Sequence, residues 1–463
     1  MFTTVRSKIS LIRIEEGGKM IGKAIISASL LLLIGALSFA SGKSEAASGP
    51  ITLRYYQWFN QGPRGEVIAK DVEEFQKLYP NIKIEPAAIT NDAYWDRLAI
   101  DIASGVEGDI CTIDTGSGMT GYYSQRQGGS FIALDDYIKG YKLPDGTNLE
   151  TDLLALEFMK RNGKTIAMPY IQYFSPHTGL RKSYLAEAGV KPEELSGTWE
   201  SFKNAVIKLN HKDASGKIDR YGWSHPSNAE VLSRWWHMHW LWTAGGGIFP
   251  KEQPPYTADR LIFNSEENVF AVQYLKDLIA AACPPGEKGV FELLSMFHKG
   301  SVATAQMALW ALGRNRAGME PKGSFESDFD FVPFPSAVYK GETRKPVLVA
   351  WHNPVAISSL SKHPKEAFAF AAFLHSESAQ KRVSLFATPV NKRLLPWFEQ
   401  TRPIEAKYQK MAMQYELRIV PDMVQWKQLD RIVQESVKTA LLGLKTPKEA
   451  LDWGQQEMQK ILK

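Results

Sequence analysis

Gly163-Lys164-Thr165-Ile166-Ala167-Met168-Pro169-Tyr170-Ile171-Gln172-Tyr173 is the stretch on which the reading of this chain turns. It follows an Asn162-Gly163 turn signal, and its β-branched, apolar and aromatic residues read as a strand. Short strands alternating with amphipathic helices precede it, and a second alternating series follows. The strand therefore reads as the place where the chain leaves one lobe and enters another. A crevice between two lobes suits a small ligand. Periodicity alone equally allows an ordinary strand inside one domain.

Upstream, 51–56 reads as a strand and Gly62-Pro63 as a break. Residues 66–79 read as a helix, with Ile68, Val72, Phe75 and Leu78 recurring on one face. A strand at 82–85, a helix at 92–104 capped by Asp92, and a strand at 109–113 follow. This alternation points to a parallel α/β sheet, whose ligands gather beyond the carboxyl ends of the strands. Segments 57–60 and 114–117 are therefore the first suspects.

Downstream, helices are expected at 181–188, from the Thr198 cap to Leu209, at 228–243, after Ser265, and at 291–299. Ser201 stands where a capping box has Glu, so only half a box is expected after Thr198. Helices at 364–374 and 378–386 precede a helical tail of 408–417, 426–442 and 447–462. No repeat or heptad pattern interrupts the series.

The chain's 463 residues suffice for two or three domains, and 44 % apolar with 23 % charged residues is ordinary for a soluble globular protein. Lys23, an apolar run from Ala24 to Leu37 and Ser38-Phe39-Ala40 match the charged, apolar and small-residue parts of an export signal. Residues 1–40 are read as that signal, with Met20 the better-placed start, and 41–49 as a linker. No cysteine adjoins the cleavage site, so a lipid anchor is not expected, and the protein should lie in the periplasm or otherwise outside the cytoplasm. The net charge of +5 falls to about +2 once the basic leader is set aside, which offers no footing for nucleic acid. The two cysteines, Cys111 and Cys283, are far apart, are expected to stay unpaired, and have no zinc-type spacing.

Five stretches together resemble the extracellular solute-binding proteins of family 1, the carbohydrate-binding subunits of bacterial ABC importers that include the maltose-binding proteins. They are 162–170, Gly197-Thr198-Trp199-Glu200-Ser201-Phe202 with Tyr221-Gly222, Asn264-Ser265-Glu266-Glu267 leading to 274–278, Phe297-His298-Lys299-Gly300-Ser301-Val302-Ala303, and 361–374 with Ser378-Ala379-Gln380. Their order and spacing span nearly the whole chain beyond the linker. The run Ala303-Thr304-Ala305-Gln306-Met307-Ala308-Leu309-Trp310 departs from the family's Met and Gly-x-Trp, and the aromatic helix around Trp235–Trp242 is richer than the family leads one to expect. The resemblance implies an α/β fold of two lobes with a hinge and an interlobe ligand cleft. Lobe one would be 50–168 with 350–395, and lobe two 169–349 with 396–463.

Sugars offer apolar C–H faces and a rim of hydroxyls, so flat aromatic rings and polar side chains are the residues to look for. The ligand-binding candidates are Trp58, Asn60, Gln61, Asp114, Gln172, Tyr173, Trp235 (or its neighbours Trp236 and Trp240), Trp310, Trp351, His352 and Trp426. Trp310 leads because it matches the family's stacking Trp, and Trp426 sits where such proteins place a second ring. Packing in a core is the competing account of any one Trp. His237 and His239 are two apart on a helix and point to different sides, which argues against a metal site. Arg314 and Arg316 suit either an anionic sugar or plain surface charge.

No pair of carboxylates stands out for a glycosidase. The expectation is a monomeric, non-enzymatic receptor without cofactor or metal, whose partners are a carbohydrate and the importer's permease subunits. The alternatives are a glycerol phosphate or other small polar ligand on the same fold, and a secreted carbohydrate-active enzyme.

Overall fold

The computed structural model describes residues 49–58, 62–87, 89, 91–226 and 236–463. The folded body opens with strand β1 (Ile51–Tyr56), the helix Gly62–Leu78, β2 (Ile82–Pro86), the helix Asn91–Ser104 and β3 (Ile110–Thr112). A hairpin of β4 (Lys160–Arg161) and β5 (Lys164–Thr165) leads to β6 (Met168–Ser175) and β7 (His177–Arg181). Next come the hairpin of β8 (His211–Lys212) and β9 (Ile218–Arg220), then β10 (Thr304–Met307) and β11 (Phe329–Val332). The hairpin of β12 (Ala337–Tyr339) and β13 (Glu342–Arg344) precedes β14 (Val347–Ile357), and β15 (Glu416–Arg418) comes last.

Two sheets carry the body. The larger orders its strands β15-β14-β3-β1-β2, with β6 also paired to β14. β1 runs parallel to both β2 and β3, as the alternation of strands and helices predicts. The smaller sheet is β10-β7-β11, with β7 antiparallel to both neighbours. β6 and β14 pair antiparallel, and every residue of both strands is buried.

The opening stretch divides in two. Asn162 and Gly163 both take positive φ (51° and 75°), as the two-residue turn of a β4–β5 hairpin requires. The long strand starts only at Met168. The first helix begins at Gly62, earlier than the sequence suggests, because Pro in a first turn forfeits an N–H that has no partner there anyway. The second begins at Asn91, one residue before the expected Asp92 cap.

The capping box at Thr198 is complete rather than half. Ser201 N donates to Thr198 Oγ1 at 3.2 Å and Thr198 N donates to Ser201 Oγ at 2.9 Å, so a Ser hydroxyl does the work of the usual Glu. The largest departure is 408–417. The helix there is Pro403–Ala412, and Glu416–Arg418 is a strand running parallel to Val347–Val349. The free edge of β14 supplies backbone partners that local periodicity does not reveal. Cys111 and Cys283 are both free and buried.

Candidate functional site

The carboxyl ends of β1 and β3 lie side by side, and each presents a turn. Gln57 follows β1; it is 1 % exposed and its side-chain amide has no hydrogen-bond partner. Trp58 is buried next to it, with its ring 4.9 Å from Trp95 and 5.7 Å from Tyr94. After β3, Asp114 accepts a hydrogen bond from Gly116 N at 2.8 Å and closes the turn Thr115–Ser117. Trp426 is also buried, and its indole N–H donates to Gly116 O at 2.8 Å. Its side chain lies against Gly118, where a Cβ would come within 3.3 Å of it. Trp426 therefore braces the Asp114 turn. Thr115 Oγ1 accepts from His352 N at 2.9 Å, which ties the same turn to β14.

The β6–β14 register sorts four further candidates. Tyr173 stands opposite Trp351, and Gln172 opposite His352. Because successive side chains alternate faces, these are two pairs pointing opposite ways, not one patch of four. The Tyr173 and Trp351 rings are 5.0 Å apart. His352 stacks on Phe158 at 5.8 Å; burial pushes its pKa down to about 4, and neither ring nitrogen has a partner. The side-chain oxygen of Gln172 is likewise buried without one.

Trp310 opens the helix Trp310–Gly318 and is only half-buried. Its ring meets Phe291 edge-on at 6.2 Å. With Ser224, Pro226, Trp236, Leu293 and Met307 it lines a slot of about 20 Å³, room for one water. Elsewhere in the core the rings of Trp223, His225, His237, His239 and Trp240 form a chain of neighbours with centroids 5.5–5.9 Å apart. His237 and His239 are both buried; neither ring nitrogen of His237 has a hydrogen-bond partner, and Gln306 lies beside His239. Burial pushes both imidazoles well below their ordinary pKa, and His225 down to about 4.

Of the remaining candidates, Asn60, Gln61 and Trp235 lie outside the described residues. Arg316 is held by Glu326 at 3.0 Å and Glu405 at 2.7 Å, while Arg314 lies 4.8 Å above the Phe291 ring. The sequence reading passed over His225, which precedes a Pro and carries no motif, and His177, which is fully buried at the start of β7 with both nitrogens unpartnered. Among the described residues no group of three His, Cys, Asp or Glu is placed to hold a metal, and no helix is long and apolar enough to cross a membrane.

Known proteins agree with this architecture. A curated relative, the arabinooligosaccharide-binding protein of Bacillus subtilis (strain 168), is 24 % identical over 298 residues, 62 % of this chain. The match spans 61 % of that relative's length. Among solved structures, an ABC transporter solute-binding protein from Thermotoga lettingae TMO bound with α-D-tagatose superposes with a TM-score of 0.74 at 20 % identity, covering 89 % of this chain and 100 % of the other. An ABC substrate-binding protein from Listeria monocytogenes in complex with cycloalternan gives 0.70 at 22 % identity, covering 89 % and 99 %. The fold is thus the two-lobe α/β fold of such binding proteins. The model of the bacterial extracellular solute-binding proteins matches residues 60–381, well over half of the sequence, and the chain belongs to that family.

Proposed function

We propose that this protein is the extracytoplasmic receptor of an ABC importer, which captures a sugar or oligosaccharide between its lobes and hands it to the membrane permease without altering it chemically. One observation carries the reading: a half-exposed Trp310 lines a slot together with the polar Ser224 and Gln306. Aromatic faces and nearby donors and acceptors are what a sugar's C–H faces and hydroxyls need. The relatives support the class of ligand, since the proteins compared above carry arabinooligosaccharide in a name, or tagatose or cycloalternan in a complex.

In this reading residues 1–40 are the export signal, with Met20 its better-placed start, and the protein acts as a monomer. The lobes are 50–168 with 350–395 and 169–349 with 396–463, joined at β6 and β14. The pairing of β14 supports that division. Its Val347–Val349 end meets β15, and its Val355–Ile357 end meets β3. A hinge placed between those ends bends two strands rather than breaking a sheet.

The test is a thermal-shift screen of the exported protein over neutral sugars, polyols and glycerol phosphate, followed by calorimetry and recovery of the ligand. A true ligand at 100 times its Kd raises stability by about 2.7 kcal/mol and is recovered intact. Turnover of the bound sugar, or no response to any solute, would overturn the reading.

A further inference from the structure

A second cavity lies apart from the Trp310 slot and shares no lining residue with it. It measures about 480 Å³, within the range of a small-molecule site. Segments far apart in sequence meet around it: the end of the helix Met238–Thr243, the start of β14 and the start of β15. Trp242, Ile262 and Tyr415 give it apolar walls. Gly245 and Gly246, which read in sequence only as a helix stop, form part of its lining.

Its charge is one-sided. Lys251, Arg344, Lys345 and Arg418 line it against a single carboxylate, Glu416. Glu416 is engaged by Arg418, whose Nε donates to it at 3.2 Å. Arg344 has Glu342 only at 3.6 Å, and that carboxylate is 75 % exposed. Among the described residues Lys251 and Lys345 have no ion pair, and both are exposed to solvent. Glu252, next to Lys251 in the chain, does not compensate them. It is buried, and its oxygens accept from Ile248 N at 2.8 Å, Phe249 N at 3.1 Å and the Trp242 indole at 2.8 Å.

The two arginines are held in place rather than left to swing in solvent. Arg344 donates to Ala244 O, its guanidinium lies 4.9 Å over Tyr339, and it passes so close to Gly245 that a Cβ there would collide with it. Gly245 also takes a φ of 93°, which a side chain would resist. Arg418 lies 5.4 Å over the Trp242 ring. A guanidinium fixed in this way presents its fork of N–H groups to an oxyanion with little further ordering.

We propose that this cavity is a second binding site, separate from the Trp310 slot, for a small multivalent oxyanion of the polycarboxylate or phosphate-ester kind. The proposal does not rest on solute capture. Four cations in one cavity repel one another, and salt at physiological ionic strength screens charges only beyond about 8 Å. An anion with two or more charges relieves that repulsion, and the arginine forks supply its hydrogen bonds. A monovalent anion leaves most of the excess charge in place, and a neutral sugar relieves none.

Calorimetric titration of the exported protein at pH 7.5 and low ionic strength tests this with pyrophosphate and citrate, and with acetate as the monovalent comparison. Pyrophosphate or citrate should bind as one equivalent, at least about 10-fold more tightly than acetate, and should raise the melting temperature. Whichever of the two binds more tightly tells a phosphate source from a carboxylate one. No saturable binding of either overturns the proposal, and so does acetate that binds equally well.

The double variant Lys251→Ser, Lys345→Ser locates the site. Neither ammonium bonds within the protein, so the variant should melt as the parent does, yet it should weaken the anion at least about 10-fold. The double variant Lys164→Ser, Lys217→Ser removes the same charge from exposed positions outside the cavity and should stay within a few-fold. Binding kept by the first variant, or lost equally by both, would make the attraction a general effect of surface charge and overturn the site. None of these outcomes depends on whether a sugar binds at the Trp310 slot.

Discussion

Removing the Trp310 ring should cost binding far more than folding. The ring sits on the first residue of its helix, half-buried, with an edge contact to Phe291, and it helps line the slot. A pyranose stacked on the ring would bury most of one face, worth on the order of 2–3 kcal/mol by area. Part is lost to ordering the ligand, so Trp310→Ala should weaken binding roughly 10–100-fold. The fold loses only the portion of the ring already buried, about 1–2 kcal/mol by the same area scale. A fully buried Trp would instead cost about 3–5 kcal/mol. Calorimetric titration and a urea melt on the same variant measure the two effects separately. A variant destabilised by the larger amount that still binds its sugar normally would refute the stacking role and make Trp310 a core residue.

Three further outcomes are expected. Trp426→Phe keeps the bulk against Gly118 but removes the donor to Gly116 O, so it should loosen the Asp114 turn and lower stability by about 1 kcal/mol in a urea melt; an unchanged midpoint would show that this hydrogen bond contributes nothing net. Ligand-free protein should weaken in acid. His177, His225 and His352 have folded pKa values of about 3, 4 and 4 against 6.5, so the folded form binds fewer protons than the unfolded, and the stability these groups allow is full above pH 6.5 and lost as pH falls toward 4. Each can cost up to about 3 kcal/mol, and His237 and His239 act in the same sense, whereas Asp71 and Glu252, both raised to about 7 by burial, oppose them as only two groups. Urea midpoints that stay level from pH 7.5 to 4.5 would refute this balance. Saturating ligand should also reduce the radius of gyration slightly in X-ray scattering, and superimposable curves would argue against hinge closure about β6 and β14.

How far the sequence can be read depends on the distance over which each feature is decided. The β1–β3 alternation, the Ser265 cap and the last two helices are set by neighbours within one or two turns, and they stand close to where the periodicity puts them. The strand at 416–418 depends on the edge of β14 almost seventy positions earlier in the chain, so a local reading extends the preceding helix through it. The same holds for the site. Alternation declares that Gln172 and Tyr173 face opposite ways, but only their pairing with His352 and Trp351 shows that the four form two opposed pairs.

The thirteen tryptophans make the same point about composition. An excess of indole suits a sugar site, yet Trp199 stacks between Tyr274 and Phe270, and Trp223, Trp240 and Trp242 are almost fully buried. Ring abundance therefore does not separate the ligand's rings from the core's. The buried rings differ instead in how far their polar atoms are satisfied. The indole nitrogen of Trp199 reaches Pro335 O at 3.2 Å and that of Trp242 reaches Glu252 at 2.8 Å, whereas those of Trp223 and Trp240 reach nothing. A core can tolerate one such orphan, but a contiguous group of them beside three imidazoles would stack several desolvation penalties in one place. Such orphans call for a partner that the chain itself does not supply, and ordered water meets that need as well as a solute's hydroxyl does.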